Sequence, residues 1–146
     1  MWYTVSMKES GLIIHVDGGA RGNPGPAACA FIAEGEEKIV QKGSKFLGDS
    51  TNNCAEYQGV ILALQWLEQS CKNFSWRSAT FFLDSELAVR QLSGVYKVKD
   101  KKLIELYQTA IDLIKRIGLT IKFERIPREN NKIADFLVNK ELDQKH

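Results

Sequence analysis

Hydrophobic and polar positions alternate along this chain in two different periods, and the switches between them divide it into elements. Leu12-Ile-Ile-His-Val-Asp17 is an apolar, β-rich run stopped by Gly18-Gly19, which predicts a buried strand. Arg21-Gly-Asn-Pro-Gly-Pro26 is punctuated by proline and glycine and predicts a loop. Strands over Ala27–Ala33 and Lys38–Phe46 flank the turn Glu34-Gly-Glu-Glu37, and so short a link predicts an antiparallel hairpin. From Asn53 to about Ser70 the period becomes helical. Ala55, Val60, Ala63, Leu64 and Leu67 share one face, and Asn52 or Asn53 is the expected N-cap.

Beyond this helix, Ala79–Asp84 predicts a fourth strand, followed by a helix from Ser85 to about Gly94. Leu103, Leu106, Tyr107, Ala110, Leu113, Ile114 and Ile117 form a continuous stripe that stops at Gly118, a residue suited to end a helix. Leu119–Ile126 predicts a fifth strand ended by Pro127, and Ile133, Ala134, Leu137 and Val138 mark a last helix. The order βββαβααβα is that of an α/β domain: an initial meander feeding a mixed sheet with helices on its faces. Residues 11–146 are expected to form one domain, and residues 1–10 an N-terminal tail.

Composition narrows the class. The chain has 146 residues, 44% of them hydrophobic and 26% charged, which is ordinary for a soluble globular protein. No apolar run approaches the roughly 18 residues of a membrane span, and the start of the chain lacks the order of a secretory signal. Cys29, Cys54 and Cys71 are too scattered for a disulfide framework or a zinc site, so a reducing, cytoplasmic setting is expected. Cys29 and Cys54 read as small apolar fillers, and Trp66, Trp76, Phe81 and Phe82 mostly as core. The net charge of +2 conceals a split: residues 1–89 sum to −3, residues 90–128 to +6 and the remainder to −1. A basic segment in a near-neutral chain suggests an anionic partner, though a solvated helix face has the same composition.

The acidic residues carry the chemistry. Asp17 and Asp84 end the first and fourth predicted strands, Glu56 lies in the first turn of a helix, and Asp135 lies near the start of the last helix. In open α/β sheets ligands collect at the carboxyl ends of strands. Each acid alone has an ordinary structural explanation as a turn former or a helix-start acid. Only their combination points further. Carboxylates gathered without arginines repel one another, and such clusters persist where hard divalent cations, Mg²⁺ or Mn²⁺, neutralise them. Two such ions roughly 3.5–4 Å apart serve in-line displacement at phosphorus.

At these positions the sequence resembles the type 1 ribonuclease H family, from about Leu12 to Leu142. The matching blocks are Val16-Asp-Gly-Gly-Ala-Arg-Gly-Asn-Pro-Gly-Pro26, Thr51-Asn-Asn-Cys-Ala-Glu-Tyr57, Leu83-Asp-Ser85 and Ile126-Pro-Arg-Glu-Asn-Asn-Lys-Ile-Ala-Asp135. The resemblance implies a ribonuclease H-like five-stranded mixed sheet, its first three strands antiparallel, flanked by about four helices. It implies a catalytic, metal-binding quartet of Asp17, Glu56, Asp84 and Asp135, with the Gly18 backbone beside it and two Mg²⁺ ions, for which Mn²⁺ can substitute. The implied reaction is cleavage of the RNA strand of an RNA–DNA hybrid, leaving 3′-hydroxyl and 5′-phosphate ends; no obligate protein partner is evident in the sequence, and a monomer is expected. Gly18, Gly19, Asn23, Thr51, Asn52 and Asn53 match positions that meet the hybrid, where small residues and amides suit the minor groove and its 2′-hydroxyls.

The sequence also departs from the family. The basic protrusion of some members has no room in Gly94–Asp100, so Lys97 and Lys99 are the expected substitutes. The loop histidine of many members is missing before Asp135, and Arg128 is the nearest polar candidate for its role. A guanidinium gives electrostatic aid only, since it cannot act as a base at neutral pH. His15, two residues before Asp17, reads as a satisfied strand histidine. The alternatives are a catalytically silent hybrid-binding module and a nuclease of the same fold with another nucleic-acid substrate. The intact quartet disfavours the first, and the Thr-Asn-Asn and Gly-Gly features disfavour the second.

Overall fold

A computed structural model describes residues 11–73, 75–144 and 146; the expected N-terminal tail, 1–10, lies outside the described residues. Its five strands form one sheet in the order β3-β2-β1-β4-β5. They are β1 (Gly11–Ala20), β2 (Gly25–Gly35), β3 (Lys38–Ser50), β4 (Ser78–Leu83) and β5 (Thr120–Arg125), and the helices are α1 (Asn52–Ser70), α2 (Glu86–Leu92), α3 (Lys101–Ile117) and α4 (Lys132–Asp143). Strands β1, β2 and β3 are antiparallel, whereas β4 lies parallel to both β1 and β5. This is the expected α/β architecture.

The hydrophobic pattern explains the layering. Residues Ala27–Ala33 of β2 are buried without a break, because both faces of that strand are covered. Phe31 and Ala33 join the main core with Leu12, Ile14 and Val16 of β1 and the inner face of α1. Ala28 and Ala30 point the other way and pack on Val138 of α4. Helix α1 is more apolar than a single stripe because it lies between the sheet and α3. Helix α3 buries only Leu103, Ala110, Leu113 and Ile117, and Gly118 at φ 76° closes it in the left-handed conformation that favours glycine. Among the described residues no helix is long and apolar enough to cross a membrane.

The structure corrects three local expectations. Strand β1 does not stop at Asp17: Gly18, Gly19 and Ala20 continue the ladder opposite Cys29, Ala28 and Ala27. Two glycines broke the propensity signal, but pairing with β2 outweighs their entropy. Neither Asn52 nor Asn53 caps α1; the hydroxyl oxygen of Thr51 does, accepting from the Cys54 N–H at 3.2 Å. Ser85 and Asp100 cap α2 and α3 in the same way, so α2 begins one residue after Ser85. The β2–β3 hairpin closes on two residues, Glu36 and Glu37, both at positive φ as a tight primed turn requires.

Candidate functional site

Parallel pairing of β1 with β4 puts the carboxyl ends of the two strands side by side. Asp17 lies near the end of β1, and Asp84 is the first residue after β4. Glu56 reaches the same point from the second turn of α1, not the first as the sequence suggested, and carboxylate oxygens of these three residues lie within 4.8 Å of one another. Asp135, in the first turn of α4, stands outside that tight group but lines the same cleft of about 340 Å³. The structure therefore brings the four acids to one cleft, three as a close set and the fourth at its wall.

Close backbone approach makes this possible. A side chain on Gly18 would strike the Ala55 carbonyl carbon at 2.2 Å, so α1 sits directly on β1 there. The Gly18 N–H donates to Glu56 Oε1 at 3.2 Å and fixes that carboxylate. Gly59, one turn further along α1, is equally constrained: a Cβ would fall 2.7 Å from Val16 Cγ1 and 3.0 Å from the Asp17 carbonyl oxygen. Sequence reasoning missed Gly59, although a glycine inside a helix is itself a sign of close packing. It also missed Asn131. This buried amide donates from Nδ2 to the Val16 carbonyl oxygen at 2.8 Å, tying the loop before α4 to the residue preceding Asp17.

The electrostatics of the close set are unfavourable to charge. Burial first, then Asp84 and Asp135, push the Asp17 carboxyl up to about 7 against the hydrogen bonds from Glu56 and Gly18. Glu56 is raised well above the ordinary carboxylate range, first by burial and then by Asp17. One oxygen each of Glu56 and Asp84 is buried with no hydrogen-bond partner among the described residues. Partnerless buried carboxylate oxygens are costly. An all-oxygen donor set with unfilled acceptor capacity is the chemistry that hard divalent cations complement, so these residues fit Mg²⁺ or Mn²⁺.

The expected substrate contacts divide. Gly19, Asn52, Asn53 and Arg128 line the acidic cleft. A Cβ on Gly19 would meet nothing nearer than Asn52 Oδ1 at 3.9 Å, so packing imposes no glycine there, unlike at Gly18. Asn52 Oδ1 accepts from the Ala20 N–H at 2.9 Å, which turns the amide nitrogen away from β1. Asn23 spends its side-chain oxygen on the Asn52 N–H at 3.0 Å, and Thr51 spends its hydroxyl oxygen on the helix cap. Both organise the start of α1 and lie outside the cleft lining. Lys97 and Lys99 are exposed on the connection from α2 to α3 and are not among the residues that line the cleft. His15 stacks on Phe82 at 5.3 Å and lines a different cavity from the acids.

Comparison with known proteins is consistent across sequence and structure. Residues 15–141 match the family described as reverse transcriptase-like. A bifunctional protein of Mycobacterium tuberculosis is 36% identical over 135 residues, covering 90% of this chain and 35% of that protein. Ribonuclease HI of Halobacterium salinarum is 34% identical over 130 residues, covering 88% of this chain and 63% of the relative. The chain thus spans about a third of the mycobacterial relative and less than two thirds of the archaeal one. Among solved structures, LC11-RNase H1 in complex with an RNA/DNA hybrid superposes with a TM-score of 0.85 at 40% identity, covering 90% of this chain and 96% of that one. RNase H1 from Halobacterium salinarum superposes with a TM-score of 0.80 at 32% identity, covering 91% and 98%.

Proposed function

Because the chain belongs to the reverse transcriptase-like family and has the ribonuclease H fold, we propose that it hydrolyses the RNA strand of RNA–DNA hybrids. The products are 3′-hydroxyl and 5′-phosphate ends. The observation that carries this reading is the convergence of Asp17, Glu56 and Asp84, with two partnerless buried oxygens, in a cleft that Asp135 also lines. These four side chains would hold two divalent cations, Mg²⁺ with Mn²⁺ able to substitute. When bound, such ions acidify water and offset the charge that builds on a phosphodiester.

The chain's own groups supply position and recognition. The Gly18 N–H holds Glu56 in one orientation, and the open backbone at Gly19 lets a sugar edge approach. The amide nitrogen of Asn52, free of the oxygen's bond to Ala20, suits an acceptor in the minor groove, with Asn53 beside it. Arg128 places positive charge at the cleft. Lys97 and Lys99, on the connection from α2 to α3, attract the flanking polyanion. Free Cys29, Cys54 and Cys71 suit the reducing cytoplasm we assign to the protein, acting as a monomer.

Matched 5′-labelled RNA–DNA, RNA–RNA and DNA–DNA duplexes, each with Mg²⁺, Mn²⁺ or EDTA, test the reading. Cleavage of the hybrid's RNA strand alone, abolished by EDTA, is expected. Tight hybrid binding without cleavage in either metal would instead identify a silent binding module, and cutting of another duplex a different nuclease.

A further inference from the structure

Asp135 is the one acid of the cleft outside the close set, and its surroundings differ from those of the other three. One helical turn later, the Asn139 side chain donates from Nδ2 to the Asp135 carbonyl oxygen at 3.0 Å and to its carboxylate Oδ1 at 3.4 Å. Arg21, in the loop between β1 and β2, donates from Nη2 to Asn139 Oδ1 and to the Asn139 carbonyl oxygen, both at 3.4 Å. The same nitrogen pairs with Asp143 Oδ1 at 2.7 Å. Both Arg21 and Asn139 line the acidic cleft.

The chemistry of the groups fixes the direction of this chain of bonds. A guanidinium only donates, so the amide oxygen of Asn139 must face Arg21 and its NH₂ must face Asp135. Asp143 takes the guanidinium in an ion pair, and among the described residues Arg21 forms none with Asp135. Such a pair would bring a fixed positive charge to a carboxylate that needs to meet a cation. A neutral amide orients that carboxylate and leaves its charge intact. From this arrangement we infer that Asn139, itself oriented by Arg21, is a positioning residue that aims Asp135 into the cleft for divalent-cation binding. The inference rests on the metal-dependent reading above.

The ion pair of Arg21 with Asp143 is mostly exposed and contributes little to stability, so its role is geometric. That separates the inference from a structural role for Asn139. Alanine forms helix better than asparagine, so Asn139→Ala should melt at the wild-type temperature or above it. Its Mn²⁺ affinity, measured by calorimetry without substrate, should fall about tenfold, the lower end of what loss of a partner to a metal ligand costs. Hybrid cleavage should lose kcat with KM for the hybrid nearly unchanged. Asn139→Asp keeps the acceptor for Arg21 but turns a carboxylate towards Asp135, and it too should bind Mn²⁺ more weakly. Wild-type Mn²⁺ affinity in Asn139→Ala, or equal or tighter binding by Asn139→Asp, would overturn the inference. Absence of Mn²⁺ binding by the wild-type protein would instead overturn the metal-dependent reading on which it rests.

Discussion

Replacing Asp17 by asparagine should stabilise the protein in the absence of divalent cations while abolishing cleavage. The Asp17 carboxyl is raised from 3.8 to about 7, chiefly because it is buried and secondarily because Asp84 and Asp135 are near. Folding therefore takes up a proton that the unfolded chain would release. The stability associated with that proton is complete below about pH 4 and is lost as pH rises through about 7. At 1.36 kcal/mol per unit, the burden on the cation-free fold above neutrality is about 4 kcal/mol. Asparagine is nearly isosteric, still hydrogen-bonds Glu56 and carries no charge, so the burden disappears. For a chain of this size 1 kcal/mol moves the melting temperature by roughly 2–4 °C, so recovering half of it is measurable. Thermal melts in EDTA should show the variant above wild type at about pH 8, with the gap closing towards about pH 4. Saturating Mg²⁺ should reverse the order at the higher pH, by stabilising wild type and leaving the variant nearly unchanged. A variant that melts below wild type at about pH 8 in EDTA would refute the claim that the buried Asp17 charge burdens the cation-free fold.

Gly59→Ala should destabilise the protein by about 1–3 kcal/mol despite alanine's better helix propensity, because the added methyl overlaps Val16 and the Asp17 carbonyl. Denaturant unfolding gives the loss, and hybrid cleavage should fall with it as α1 moves off β1. Asn131→Ala removes a buried hydrogen bond to the Val16 carbonyl and should cost about 1–3 kcal/mol, with a lower kcat because Asp135 follows the same loop. A stability loss without any change in kcat would limit Asn131 to scaffolding. Replacing Lys97 and Lys99 together by alanine should weaken hybrid binding and reduce the slope of log K against log salt by about 2, roughly one unit per lysine. An unchanged slope would return both lysines to a solvated face.

The sequence pattern was most informative where burial repeats with a simple period. The stripe of α3 predicted which face is buried, because hydrophobic burial dominates that element, whereas the unbroken apolar run in β1 did not reveal that Ile13 is exposed. Local polar chemistry was harder to read. Thr51, Asn52 and Asn53 are all competent caps, and only the course of the chain into β3 determines that Thr51 takes the position. Gly18 and Gly19 look alike in sequence, yet α1 presses on the first and leaves the second open, a difference set by contacts with residues some 37 positions away. The meeting of Asp17 with Asp84 was conditional on parallel pairing of their strands, which no local signal states. Asn131 looked like one more polar residue in an asparagine-rich loop, because its partner, Val16, is 115 residues distant.

These long-range contacts explain how an electrostatically unfavourable cluster is held together. Neither Asp17 nor Glu56 has a cationic side chain bonded to it, and the ion pairs found among the described residues lie elsewhere. The restraint is backbone and packing: the β1–β4 ladder beneath Asp17 and Asp84, the Gly18 N–H on Glu56, the fit of Gly59 against β1, and the Asn131 bond to Val16. None of these groups changes charge, so the carboxylates keep their acceptor capacity and their mutual repulsion together. An arginine in the same place would relieve the repulsion and occupy the oxygens, as Arg116 does at Glu68 on the far side of α1. Arg21 bonds to Asn139 and Asp143, and only Asn139 in turn touches the Asp135 carboxylate. Arg21 and Arg128 line the cleft, yet among the described residues neither forms an ion pair with its acids, which leaves divalent cations as the complement those carboxylate oxygens can accept.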